Sequence, residues 1–190
     1  QVLKFGDTFA VLDRRGEAGT PDEPELGLYH RGTRHLSRWQ LMIGECRPML
    51  LDSTMKEDDS LLVVQMTTPD LTLPQEAAVP SATLHAFRSL IVEESGFYEH
   101  LELTNYSTRP VELFIRYFFG ADYRDVFEIR GARRDRRGQM LKSEIAGGTV
   151  TLGYRGLDDQ ERRTRISFEG DIVDSTVSSC VMRLKLDLNA

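Results

Sequence analysis

Between Thr83 and Tyr106 lie two extended runs, Thr83–Glu94 and Phe97–Tyr106, separated by Ser95-Gly96. Turn-favouring residues between two alternating runs mark a β-hairpin. With Ser95-Gly96 as the turn, Glu94 faces Phe97 and Ile91 faces His100. One face then gathers Leu84, Ala86, Leu90, Val92, Phe97, Leu101 and Leu103, and reads as core. The other carries His85, Phe87, Ser89, Ile91, Glu93, Tyr98, His100, Glu102 and Thr104, and reads as the wetter side.

The remainder follows the same two-residue period. Val2–Phe5 and Thr8–Leu12 read as short strands joined at Gly6-Asp7, and Asp13–Gly16 as a turn. Glu17–Glu25 reads as a loop, Leu36–Ile43 as a half-buried strand, and Pro48–Asp52 as its return after Gly44-Glu45. Leu61–Met66 is a further strand, and the proline-punctuated Pro69–Pro80 a loop. In Val111–Phe119, Val111, Leu113, Ile115, Tyr117 and Phe119 share a face, with Phe114 and Phe118 opposite, so that strand is expected to be covered on both sides. Gln139–Ile145, Thr149–Tyr154, Arg165–Glu169 and Ser175–Leu188 complete the set, and no stretch shows the 3.6-residue period of a helix. Many short strands with frequent turns predict an all-β chain, an antiparallel β-sandwich occupying residues 1–190 as one domain.

Composition removes several functions. The 190 residues suffice for a core without disulfide or metal. A net charge of −6 disfavours nucleic acid, which asks for a basic face, and no apolar run approaches the ~20 residues of a spanning helix, so no membrane partner is expected. Cys46 and Cys180, far apart and outside any CxxC spacing, read as two buried thiols of a cytoplasmic protein. The opening Gln1-Val2-Leu3-Lys4 and the ending Leu188-Asn189-Ala190 are expected of a piece of a longer protein. Phosphate-loop, dinucleotide-binding, zincin and nucleophile-elbow motifs are absent, and no cofactor is expected. His85 and His100 fall six ladder positions apart, about 20 Å, too far to share a metal. His30 and His35 read as a solvated turn without a third ligand, and Trp39 as a core residue.

The chemically densest stretch is 121–138. From Asp122 to Gly138 it holds six arginines, four carboxylates and no lysine. Arginine suits planar, bidentate contact with carboxylates or hydroxyl arrays. Two readings stand: a self-paired connection between strands, or a site. Val126, Phe127 and Ile129 imply that the stretch packs against something, and nearby arginines should hold Asp122 and Asp125 ionised.

These residues carry a resemblance. Gly27-Leu-Tyr-His-Arg-Gly-Thr-Arg-His-Leu-Ser-Arg-Trp39 is similar to a "GLFYRDTRFLSRW" segment, and Ala121–Gly131 with Arg136-Arg137-Gly138 to an "ADFADLFEVRG…RRG" run. Both belong to the N-terminal domain of bacterial and archaeal glycogen-debranching-type glycosidases, the amylo-α-1,6-glucosidase-like group. The likeness extends over nearly the whole chain, with Gly32 replacing an aspartate and Tyr123 a phenylalanine, the latter read as a mild change. It implies a sandwich of the supersandwich kind ahead of an (α/α) six-hairpin barrel that supplies the catalytic carboxylates. The chain itself is then a non-catalytic module bracing that C-terminal helical domain, with Asp122, Arg124, Asp125, Phe127, Glu128, Arg130 and Arg134 at the domain interface or near glucan. Asp122, Asp125 and Glu128 would pair with Arg124, Arg130 and Arg134 or with the barrel. Val126, Phe127 and Ile129 would form an exposed patch able to drive self-association, unless Phe127 folds into the chain's own core. Other readings are an autonomous α-glucan-binding module, for which Tyr29, Trp39 and Tyr98 are the available aromatics, and an independent dimerising sandwich.

Overall fold

The computed structural model describes residues 1–20, 22–72, 78–94 and 96–188. Its elements are β1 (Val2–Phe5), β2 (Thr8–Val11), β3 (Gly27–His30), β4 (Thr33–Leu36), β5 (Arg38–Ile43), β6 (Met49–Met55), β7 (Leu61–Thr67), β8 (Leu84–Glu93), β9 (Gly96–Asn105) and β10 (Val111–Gly120). After one helical turn, α1 (Val126–Ile129), come β11 (Gln139–Met140), β12 (Glu144–Ala146), β13 (Thr149–Arg155), β14 (Glu161–Ser167), β15 (Asp171–Ser175) and β16 (Ser179–Leu186). The chain is an all-β sandwich built from antiparallel sheets. One sheet runs β6-β7-β8-β9 and a second β15-β16-β10-β5, while β1–β4 form a meander and β13 pairs with β11, β12 and β14.

The alternation of apolar residues explains the layering. Val111, Leu113, Ile115, Tyr117 and Phe119 on β10 are each at most 4% exposed, as are Leu84, Ala86, Leu90 and Val92 on β8. They join one core with Leu62, Val64 and Met66 of β7 and Leu41 and Ile43 of β5. The first meander packs beside this core, with β1 and β2 against β8.

Several expectations are corrected. The hairpin pairs Val92 with Phe97 and Glu93 with Gly96, so Ile91 faces Tyr98 and Ser89 faces His100. This slips the expected pairing by two residues, which changes partners but not faces. Ser95, half of the expected turn, lies outside the described residues, as does part of the Pro69–Pro80 loop. His100 thus sits opposite a residue four positions from His85 rather than six. Phe97, Leu101 and Leu103 are only partly buried, because β9 is the edge of its sheet. The far face of β10 is open: Phe114 is exposed, and Phe118 lies under the Arg38 guanidinium, 4.6 Å from the ring centroid.

The run Leu36–Ile43 is not one strand. The chain leaves the meander at Leu36 and enters the second sheet at Arg38, and the Ser37 amide bonds the Gly120 carbonyl at 2.7 Å where it crosses over. Likewise Gln139–Ile145 divides into β11 and β12, Arg165–Glu169 begins earlier as β14, and Ser175–Leu188 holds the end of β15 and the whole of its return strand β16. His30 and His35 do not form a solvated turn. Both are half-buried, their rings edge to face at 6.1 Å, and burial together with the His30 charge lowers His35 to about 4. Cys46 and Cys180 are free thiols; only Cys180 is buried, which pushes its thiol up to about 11.

Candidate functional site

The arginine-rich stretch is fastened to the turn between β3 and β4. The Arg34 amide bonds the Arg124 carbonyl at 2.8 Å, and the Val126 amide bonds the Gly32 carbonyl at 2.9 Å. Gly32, where the resembling family carries an aspartate, therefore acts through its backbone, in a left-handed conformation (φ 76°). Arg34, nearly buried, holds Asp122 through two parallel bonds, Nε–Oδ1 at 3.0 Å and Nη2–Oδ2 at 2.5 Å. Burial works against its charge, and Asp122 more than offsets that, so its pKa is raised. The remaining Nη1 donates to the Pro24 carbonyl at 2.5 Å and the Leu26 carbonyl at 3.1 Å. This bidentate pair spans 88 positions and staples the stretch to the meander.

Beyond the staple, Asp125 caps α1. Its side chain accepts from the Phe127 and Glu128 amides at 2.8 and 2.9 Å, and the Glu128 side chain reaches back to the Asp125 amide at 3.2 Å. This reciprocal capping box explains how one helical turn persists in a sequence without helical periodicity. Arg134 pairs with Asp125 and lies 3.8 Å from Glu128, and Arg137 approaches Glu128 at 3.3 Å. The expected pairing thus holds for Arg134 with Asp125 and Glu128. Asp122 takes Arg34 as its main partner, with Arg124 at 3.5 Å. Arg130 is exposed and makes no side-chain ion pair among the described residues.

Phe127 is 64% exposed and no residue of α1 is fully buried, which rules out the reading that places Phe127 in the chain's own core; Val126 and Ile129 are half-buried, so the expected three-residue patch reduces to Phe127. Underneath, Tyr123 is buried and stacks on Tyr154 at 5.4 Å. Its backbone is left-handed (φ 49°), uncommon for a bulky residue. Its hydroxyl donates to the Leu152 carbonyl at 2.9 Å and lies 3.0 Å from Thr164 Oγ1, which bonds the His35 carbonyl. Burial raises its pKa. The hydroxyl that distinguishes it from phenylalanine is thus engaged, and the change is not mild. Tyr154 Oη accepts from the Gly138 amide at 2.7 Å, and a Cβ at Gly138 would come 1.9 Å from the Arg155 carbonyl oxygen. Between α1 and the β13–β14 turn a cavity of about 290 Å³ opens, lined in part by Asp125, Glu128, Arg134 and Asp158.

A second polar cluster escaped sequence reasoning. Arg88 is fully buried and Glu99 nearly so, bonded Nε–Oε1 at 2.7 Å and Nη2–Oε2 at 2.8 Å. Glu99 also accepts from Trp39 Nε1 and Tyr117 Oη, each at 2.6 Å. Arg88 further donates to the Arg15 carbonyl at 2.5 Å. Burial alone would raise the Glu99 carboxyl; the Arg88 charge and four donors win, and it is lowered. Tyr117 is raised well above its usual value by burial and by Glu99. Glu17, read as a loop residue, is buried and takes the Leu41 amide and Arg47. The signal was parity: Arg88 and Glu99 fall on the same hairpin face as the leucines. With every lone pair engaged, Glu99 is scaffold and no proton donor. Trp39 and Tyr29 are buried, so of the three aromatics available to a sugar-stacking row only Tyr98 is exposed.

A family model for the N-terminal domain of some glycogen debranching enzymes matches residues 3–190. No curated protein matches the chain.

Proposed function

The chain belongs to the family of N-terminal domains of some glycogen debranching enzymes, and from that premise we propose that residues 1–190 act as one non-catalytic module bracing a C-terminal helical catalytic domain of the same protein. The face that meets the partner is the one carrying α1, with Phe127 at its centre and Asp122, Arg124, Asp125, Glu128, Arg130 and Arg134 around it. The observation that carries the reading is the exposure of Phe127, 64%, on a helical turn fixed by a capping box and stapled through Arg34. An aromatic side chain held outward by preorganised polar supports suits the anchor of a partner surface, where a few aromatic and arginine residues supply most of the binding energy. Free Cys46 and Cys180 fit a cytoplasmic protein.

The test compares two contexts. Phe127→Ser together with Ile129→Ser should lower the melting temperature and glucan-hydrolysing activity of the complete enzyme while leaving the 190-residue chain as stable as before. The chain alone should release no glucose or maltose from limit dextrin. An unaffected complete enzyme, or hydrolysis by the chain above a blank, overturns the proposal.

A further inference from the structure

We propose that the cavity between α1 and the β13–β14 turn binds one neutral hexose unit, a terminal glucosyl residue of an α-glucan; this rests on the reading of the chain as part of a glucan-acting enzyme. Its volume of about 290 Å³ lies at the lower end of small-ligand sites, roughly 300–1,000 Å³, and suits one sugar ring.

The charges in its wall select the ligand class. Each carboxylate is committed to an arginine: Asp125 to Arg134, Glu128 to Arg137 at 3.3 Å, and Asp158 to Arg162 at 2.9 Å. A phosphate would find only Arg136 unpaired among the arginines of the wall, and would meet three carboxylates beside it. A metal ion would meet arginines beside every carboxylate, and no cluster with metal-ligand composition occurs among the described residues. A sugar hydroxyl donates and accepts at once, so it can bond a carboxylate and a guanidinium without separating them. Arg136 lines the same cavity, and among the described residues it has neither an ion pair nor a hydrogen bond. Leu157, 58% exposed, offers an apolar face for the C–H side of a pyranose ring.

The wall is also preorganised. Tyr154 is fixed by Tyr123 on one side, by the Gly138 amide at its hydroxyl, and by Arg137 5.9 Å from its ring centroid. Arg137 in turn donates to the Asp122 carbonyl at 2.7 Å. A ligand therefore meets donors and acceptors already in place, which lowers the entropy cost of binding.

The experiment is an amide NMR titration of the full chain with maltose, with inorganic phosphate as comparison. Saturable shifts at Gly138, Gly156 and Leu157 with maltose, weakened about tenfold or more in Arg136→Ala, are expected, since a hydrogen bond to a charged group is worth about that factor. Arg136 is exposed and makes no hydrogen bond or ion pair among the described residues, so that variant should fold as the parent does, as thermal melting will show. Shifts with phosphate but not maltose, no shifts with either, or maltose binding indifferent to Arg136→Ala each overturn the proposal. The docking role turns on Phe127, which lies outside the cavity wall. Phe127→Ser should leave maltose binding unchanged, and failure of sugar binding leaves the docking role standing.

Discussion

Replacing Glu99 by glutamine keeps the shape of the side chain and removes its charge. Arg88, with no solvent exposure, then loses its bidentate anion and keeps only a longer contact to Glu17, whose Oε1 lies 4.0 Å away and is already engaged by the Leu41 amide. A buried pair broken on one side costs about 3–5 kcal/mol, because the orphaned ion can be neither hydrated nor neutralised. For a chain of 190 residues that is a fall of about 6–20 °C in melting temperature. A double-mutant cycle with Arg88→Met isolates the interaction: the second change removes the orphaned charge, so the coupling should reach at least about 2 kcal/mol. Acidity gives a second readout. Glu99 titrates lower in the folded chain than in the unfolded one, so its contribution is present above about pH 4.3, the ordinary glutamate value, and is lost as pH falls through its lower folded value. The gap between parent and Glu99→Gln should therefore narrow on acidification in urea titrations. A loss under about 1 kcal/mol at pH 7, or strictly additive single changes, refutes the argument that the buried pair stabilises the fold.

Phe127→Ser should change the stability of the chain by no more than about 0.5 kcal/mol and Ile129→Ser, at a half-buried site, by no more than about 1 kcal/mol, since no residue of α1 is fully buried, while sedimentation shows self-association reduced. Tyr123→Phe should cost about 1–3 kcal/mol by leaving the Leu152 carbonyl without its partner, read by chemical denaturation. His35, held near 4 against an ordinary 6.5, favours its neutral form when folded; the stability this gives is full above pH 6.5 and lost as pH falls toward 4. A ring-proton titration of His35 should show a midpoint near 4, and His35→Phe should flatten stability across that range.

How much of this was legible depended on parity. The two-residue period placed Leu84, Leu90 and Leu113 in the core without knowledge of any partner, because side-chain alternation is fixed by backbone geometry. Parity was also sufficient to bury Arg88 and Glu99, but residue type argued the opposite, since a lone charge is rarely buried and its partner cannot be seen before the strands are paired. Pair register was less accessible: Val92 meets Phe97 where the turn residues suggested Glu94, because a slip of two keeps both faces intact. At the site, the local pairing of Arg134 with Asp125 was within reach of the sequence, being nine positions apart. The Arg34–Asp122 staple was not, since only the folded meander brings those residues together.

The crossover at Ser37 joins the two polar clusters mechanically. Arg34, which anchors the exposed platform, and Trp39, which bonds Glu99 in the core, are five residues apart on the strands either side of it, about 16 Å of nearly extended chain. Force applied to the platform by a docked domain would pass along this taut segment into the most strongly bonded part of the sandwich. The platform is thus the exposed end of a strut whose other end is bonded between the sheets through Trp39 and Glu99.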